Sequence, residues 1–248
     1  MTISFEKNID RRQRKPRVVE IIGPAGAGKT TLYNELSRYS DCIQLSNFPD
    51  VRKFANAPFF IVYGLQLIPS LLRISQSNDR QLNRREFAWL TILSGWPTAL
   101  QKELKKNNSI VVLDQGPVYL LSEISELGPE YLRKPAAALL WRDLYSRWAK
   151  ILDIVVWLDA EDHDLIERIR SRDKEHEVKN ESAETISRFL ERYRIAYRRT
   201  ISSLLANCPE IKILRFDTSR ISPEEMANQL FFQLGHTFRS LRTTAKAS

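Results

Sequence analysis

The stretch VVEIIGPAGAGKTTLYNEL, residues 18–36, decides how the chain reads. It opens with an apolar, β-branched run, passes through a glycine-rich turn and continues as a helix-like sequence. Gly23 to Thr30 fit the pattern GxxxxGK[ST], directly after a strand and opening a helix, which is the context this motif requires. Glycines at 23, 26 and 28 leave room for the backbone to curl around phosphate oxygens, with main-chain N–H groups pointing inward at the positive end of the next helix. The reading assigns Gly23, Ala25, Gly26, Ala27, Gly28, Lys29, Thr30 and Thr31 to a phosphate-binding set. Lys29 is expected to reach the outer phosphates and the Thr30 hydroxyl to hold Mg²⁺, which makes ATP with Mg²⁺ the expected ligand. Thr31 is expected to face the base or the helix packing. A plain strand-to-helix turn is the competing reading.

Outward from this stretch, further apolar runs occur at 17–23, 41–46, 109–114, 153–159 and 211–217. They are continuous rather than alternating, as expected of parallel strands covered on both faces. Helical patterns fall between them, at 29–40, across much of 51–75, and at 84–106, 135–150, 162–172, 182–206 and 223–234. Strand and helix alternate, so the expected fold is α/β: a doubly wound, five-stranded parallel sheet of the P-loop NTPase kind, with ligands beyond the carboxyl ends of the strands. Ser222, Pro223 and Glu225 read as N-cap, first-turn proline and capping box. The stretch SQSNDRQ, 75–81, reads as a loop without a domain boundary.

The bulk properties agree with a folded, globular chain. With 248 residues and 43% hydrophobic content, the chain is expected to form one domain over 1–248. The ends, 1–16 and 236–248, read as basic flexible tails. Cys42 and Cys208 lie far apart without metal-ligand spacing, which argues against a disulfide framework or zinc site and for a reduced, cytoplasmic setting. The start is too polar for a secretory signal. The apolar run 57–72 is short of the roughly 20 residues that span a bilayer, so it reads as a buried helix or helix pair and no transmembrane segment is expected. The net charge of +8 suits any polyanion. No aromatic–basic RNA motif or helix-turn-helix accompanies it, which disfavours nucleic acid as a partner. Composition leaves a homodimer open.

Other residues carry chemistry. Asp114 ends the run SIVVLD, in the position of a carboxylate that holds Mg²⁺ or its waters, or that accepts a proton from an acceptor hydroxyl. The competing reading makes it a turn former before QGP. Asp159 reads equally as a functional carboxylate or as a turn or N-cap residue. Between 164 and 181, Arg168, Arg170, Arg172 and Lys174 cluster with acids behind them. Spacing of four residues puts Arg168 and Arg172 on one expected helix face, where both would lean toward the same phosphates, although alternating charges also make a solvated face.

With the phosphate loop, the strand-end aspartate and the arginine segment in view, the chain resembles the thymidylate kinase and deoxynucleoside kinase group of P-loop kinases. The resemblance is strongest over Gly23–Thr31 and Leu152–Leu230. DIVVWLDAEDHDLIERIRSRDKEHE is similar to the family's strand, helix and lid, FLERYRIAYRRT to its next helix, and ILRFDTSRISPEEMANQL to its last strand, base-side loop and final helix. The resemblance implies a helical lid in which Arg168 and Arg172 contact donor nucleotide and phosphates, with Lys174 a further cation. It implies that Asp217, Thr218, Ser219 and Arg220 border the donor base. Where the family has an acid followed by arginine, this chain has Asp114 followed by Gln115. Asp50, in LSNFPDV, is the nearest candidate for the family's carboxylate beside the acceptor hydroxyl, and reads equally as a helix cap. Arg84, Arg85, Phe48, Phe87, Trp89 and Trp96 are candidates for an acceptor pocket, though such stripes normally pack.

Two functions follow as expectations. The first is a small-molecule kinase in which Lys29, Arg168, Arg172 and the loop amides neutralise charge on the transferring phosphoryl group, while Asp114 or Asp50 orients a small-molecule acceptor. The second is a nucleotide-binding regulatory or interaction protein of the same fold. A GTPase is disfavoured, since no NKxD segment follows a strand.

Overall fold

The structure is a computed structural model and describes residues 17–38, 43–46, 49, 56–74, 80–106, 110–173 and 175–234. Five strands, β1 (Val18–Ile22), β2 (Ile43–Ser46), β3 (Ile110–Asp114), β4 (Ile154–Asp159) and β5 (Lys212–Asp217), pair in parallel in the order β2-β3-β1-β4-β5. The order matters for function. β1 lies between β3 and β4, with Ile21 opposite Asp114 and Ile22 opposite Trp157, so the loop leaving β1 emerges between two other strand ends. Crevices at such a reversal of strand order are where open α/β sheets bind ligands.

Both faces of the sheet are covered, as the continuous apolar runs require. Helices α1 (Lys29–Ser37), α6 (Asp162–Arg170) and α8 (Pro223–Gln233) pack with Val19, Ile21, Val112 and Val156 on one face. Helices α3 (Arg84–Lys106), α4 (Pro117–Leu127), α5 (Ala138–Ala149) and α7 (Ala183–Asn207) pack with Val18, Ile22, Val111 and Val155 on the other. Glu20 shares the second face with Val18 and Ile22, by the two-residue period of a strand. Trp96 meets Trp148 edge to face at 5.6 Å within that core, so Trp96 packs and does not line a pocket.

Caps show why the helices begin where they do. Ser222 accepts from Glu225 N at 3.2 Å at the start of α8, as its sequence predicts. Asn83 and Glu86 form a reciprocal box at α3: Asn83 Oδ1 accepts from Glu86 N at 2.9 Å and Glu86 Oε2 from Asn83 N at 2.8 Å.

Four sequence expectations are corrected. Helix α4 follows DQGP, where only a turn is expected. The pattern at 135–150 begins as a 3-10 turn, Pro135–Ala137, and becomes α-helical at Ala138. Helix α6 ends at Arg170 with Ser171 as C-cap, so Arg172 lies beyond it and shares no helix face with Arg168. The run 57–72 is not a buried helix: it belongs to one 18-residue helix, α2 (Ala57–Ile74), which buries only Gly64, Leu67, Leu71 and Ile74. By length and mean hydropathy of 1.5, α2 is the one helix among the described residues long and apolar enough to cross a membrane.

Candidate active site

The loop after β1 is shaped so that only glycine fits at several points. A Cβ on Gly23 would lie 2.3 Å from the Leu158 carbonyl of β4, and one on Gly26 2.9 Å from the Leu165 carbonyl of α6. Gly26 and Gly28 also sit in the left-handed region, at φ 85° and 83°. Gly28 then caps α1, a helix with no side-chain cap and no acid in its first turn. Its first N–H groups thus receive no side-chain cap and its positive dipole end no acid from its own first turn, which suits a phosphate.

Lys29 folds over this loop and donates from Nζ to the carbonyls of Gly23 at 2.6 Å and Pro24 at 2.9 Å. Burial and the nearby Arg172 push its amine down to about 8, while the charge of Asp114 opposes them. Asp114, half-buried at the end of β3, has its carboxyl raised by burial and drawn back by Lys29 and the Gln115 N–H. The phosphate loop, the strand-end aspartate and the segment after α6 thus converge on one point. Thr30 and Thr31 are exposed on the first turn of α1, and Thr31 does not pack into the helix interface.

The other predicted residues fall into distinct places. Arg168 joins two loops: its Nη1 donates to Thr218 Oγ1 at 2.8 Å and to Gly26 O at 3.5 Å, and Nη2 to Thr218 O at 3.3 Å. Thr218 N donates in turn to Asp159 O at 2.8 Å, so the loop after β5 is fixed against β4. Arg220 is exposed and pairs with Asp217 at 3.0 Å. Asp159 meets Arg194 of α7, whose Nε donates to Oδ2 at 2.9 Å and Nη2 to Oδ1 at 3.0 Å. Arg194 Nη1 also donates to Asp162 at 2.6 Å, so Asp159 ties α7 to the end of β4. Asp50, Lys174, Phe48, Cys42 and the terminal tails lie outside the described residues.

One group escaped the sequence reading and a second was read only in part. Glu20 is fully buried in β1, and its carboxyl group, pushed up to about 8 by burial, accepts from Val118 N at 2.8 Å and Tyr119 N at 3.0 Å. Its one signal is an acid inside an otherwise apolar strand. The second is a polar cluster where α3, α4 and α7 meet. Tyr193 Oη donates to Glu123 Oε1 at 2.5 Å, Trp89 lies edge-on to Tyr119 at 6.4 Å, and the Arg85 guanidinium sits 4.3 Å above the Trp89 ring. Burial raises the Glu123 carboxyl, and the hydrogen bonds of Tyr193 and Tyr119 with the charges of Arg85 and Arg192 oppose that rise. Tyr119 and Tyr193 are both raised, first by burial and then by Glu123 and by Glu177, which follows α6. Arg85 and Trp89 are among the acceptor-pocket candidates read from sequence, but nothing local joins them to Tyr119, Glu123 and Tyr193 on two further helices.

No family model and no curated protein sequence matches the chain. Among solved structures, it is similar to thymidylate kinase from Candida albicans, with 14% identity and a TM-score of 0.51 over 89% of this chain and 92% of that one. A deoxyadenosine kinase from M. mycoides with bound dATP aligns at 16% identity and a TM-score of 0.46, over 88% and 98% of the two chains. At such identities the likeness concerns the fold. The five parallel strands flanked by helices therefore share the overall fold of that thymidylate kinase.

Proposed function

We propose that the protein is an ATP- and Mg²⁺-dependent small-molecule kinase, working as a single-domain cytoplasmic enzyme over residues 1–248. Its acceptor would be a nucleoside, a nucleoside monophosphate or a comparable small hydroxyl compound. One observation carries this reading: Lys29, folded over a phosphate loop, feels the charge of both Asp114 and Arg172. A cation to meet the outer phosphates, a carboxylate opposite it and a second cation from a covering segment are the parts that phosphoryl transfer uses.

The residues fit the nucleotide. The uncapped start of α1 and the backbone from Gly23 to Gly28 suit phosphate oxygens, and Lys29 would exchange its two carbonyl partners for them. Among the described residues, no three His, Cys, Asp or Glu side chains gather as a metal site. A divalent ion would therefore be held by Thr30, Asp114 and phosphate oxygens, the mixed shell Mg²⁺ usually takes, and would offset phosphate charge. The acceptor oxygen would form a bond to the γ-phosphorus as the bond to the β–γ bridging oxygen breaks. Its proton would pass to Asp50, or to Asp114 if that carboxylate is not itself bound to the ion. Arg172 and Lys174 would close over the donor phosphates, Arg168 would hold the base-side loop against the phosphate loop, and Arg220 would border the base. The acceptor would enter between α3, α4 and α7, beside Arg85, Tyr119 and Tyr193, which all act on Glu123.

An acceptor screen tests this: ATP is incubated with nucleosides, monophosphates and sugars, and products are read as the mass gain of one phosphoryl group. Acceptor-dependent ADP release that Asp114→Asn lowers at least tenfold is expected, with Lys29→Ala losing ATP affinity. ATP binding without transfer to any acceptor would instead favour the interaction-protein reading, which the exposed apolar face of α2 supports.

A further inference from the structure

Helix α4 begins in an unusual way. Gly116 is its N-cap, Pro117 follows, and no local side chain caps it. The Val118 and Tyr119 N–H groups, which no helix can satisfy internally at these positions, point to Glu20 in β1. The Gly116 N–H adds a weaker pull on the same group, lowering the Glu20 pKa. Contact at this point is close, since a Cβ on Gly116 would lie 2.9 Å from Glu20 Cδ. Immediately before it, Gln115 has φ 54°, the one non-glycine residue with positive φ among those described. A left-handed glutamine is strained and persists where its surroundings over-determine it.

We infer that Glu20 is a positioning residue for Asp114: its carboxyl group clamps the strained turn Asp114–Gln115–Gly116 to β1, three residues before the phosphate loop. The clamp joins the two halves of the site. β1 delivers Gly23 to Lys29, and β3 delivers Asp114. Through Glu20 the turn after β3 is referenced to β1 itself, not only to the ladder between the strands. A serine or aspartate at 116 would satisfy the helix end locally but would leave this cross-strand register unset. The inference rests on the proposed function only in taking Asp114 to work at the phosphates.

Glu20→Leu and Glu20→Gln, with Asp114→Asn for comparison, test it by two measurements that need no acceptor. In amide hydrogen exchange, Glu20→Leu should speed Val118 and Tyr119 at least tenfold while the amides of β1, β3 and β4 hold. Glu20→Gln, which keeps one carbonyl acceptor, should speed one of the two and decides the matter if the leucine variant fails to fold. In ATP titrations with Mg²⁺, Glu20→Leu should fall to the affinity of Asp114→Asn, and the double variant no lower. With EDTA all three should match the parent within twofold, a split that a general loss of packing would not produce. Folded variants with unchanged exchange at Val118 and Tyr119 overturn the inference, as do additive losses in the double variant. If Asp114→Asn leaves Mg²⁺–ATP affinity intact, the metal role of Asp114 fails and the exchange data alone decide the clamp. A failed acceptor screen removes the kinase reading and touches neither measurement.

Discussion

A backbone that must approach phosphate closely excludes a Cβ by sterics at some positions and by conformation at others, and Gly26 and Gly28 separate the two. Both are left-handed, but a Cβ at 26 would strike the Leu165 carbonyl whereas one at 28 meets open space. Gly28→Ala should therefore cost about 1 kcal/mol, the conformational price alone. Gly26→Ala should cost about 2–3 kcal/mol, since α6 must also give way. Thermal melts read this difference, and equal losses would refute the steric distinction. ATP titration should show weakened binding in both, because each substitution strains the left-handed backbone whose N–H groups would meet the phosphates. At this scale the sequence was informative where chemistry is local, from Gly23 to Thr31. It was silent where partners are distant: Glu20 meets amides 98 and 99 positions away, and Glu123 meets Tyr193 at a separation of 70. Such pairs leave no spacing to detect.

Elements are held to one another by a few polar ties that decide where the loops above the sheet can go. Arg194, whose side chain is 13% exposed, secures α7 to the end of β4 through Asp159 and to the start of α6 through Asp162. Burial pushes the Asp162 carboxyl up, but hydrogen bonds from Arg194 and Ser187 and the Arg194 charge pull it below the usual 3.8. A carboxyl depressed in the folded state adds stability above its unfolded value and loses it as pH falls through the folded one. Arg194→Met should thus destabilise by about 2 kcal/mol near pH 7, less than a fully buried pair because both carboxylates are partly hydrated. That gap should shrink below pH 3.8, as denaturant melts at pH 7 and pH 3 would show. A gap that widens in acid would contradict the assignment. Asp159, open in sequence between turn and function, thereby gains a structural part. All five strands were legible because continuous apolar runs permit little else at that length, whereas α4 was hidden because its cap comes from β1. The end of α6 was misjudged for a related reason: charge spacing continued past Ser171, and the helix did not.

Across the whole molecule, the sheet's two covered faces account for the apolar content, with α2 as the exception. Its inner side, Gly64, Leu67 and Leu71, faces α3 and the core, and Gly64 lets Phe87 approach to van der Waals distance of an added Cβ. Its outer side presents Ile61, Leu65 and Leu72, at 60%, 62% and 72% exposure. Mean apolarity cannot distinguish these sides, because α2 is apolar all round and a polar stripe is what normally marks the solvent face. This is why the sequence implied burial. Adjacent leucines now make the distinction measurable. Leu71→Ala should cost about 2–4 kcal/mol through lost burial and a residual cavity. Leu72→Glu should change stability by no more than about 0.5 kcal/mol, since a surface position has neither to lose. The same substitution should reduce binding of an apolar dye, which reads the contiguous face directly. A large loss of stability from Leu72→Glu would place that face in the core and return α2 to the buried helix its composition suggests.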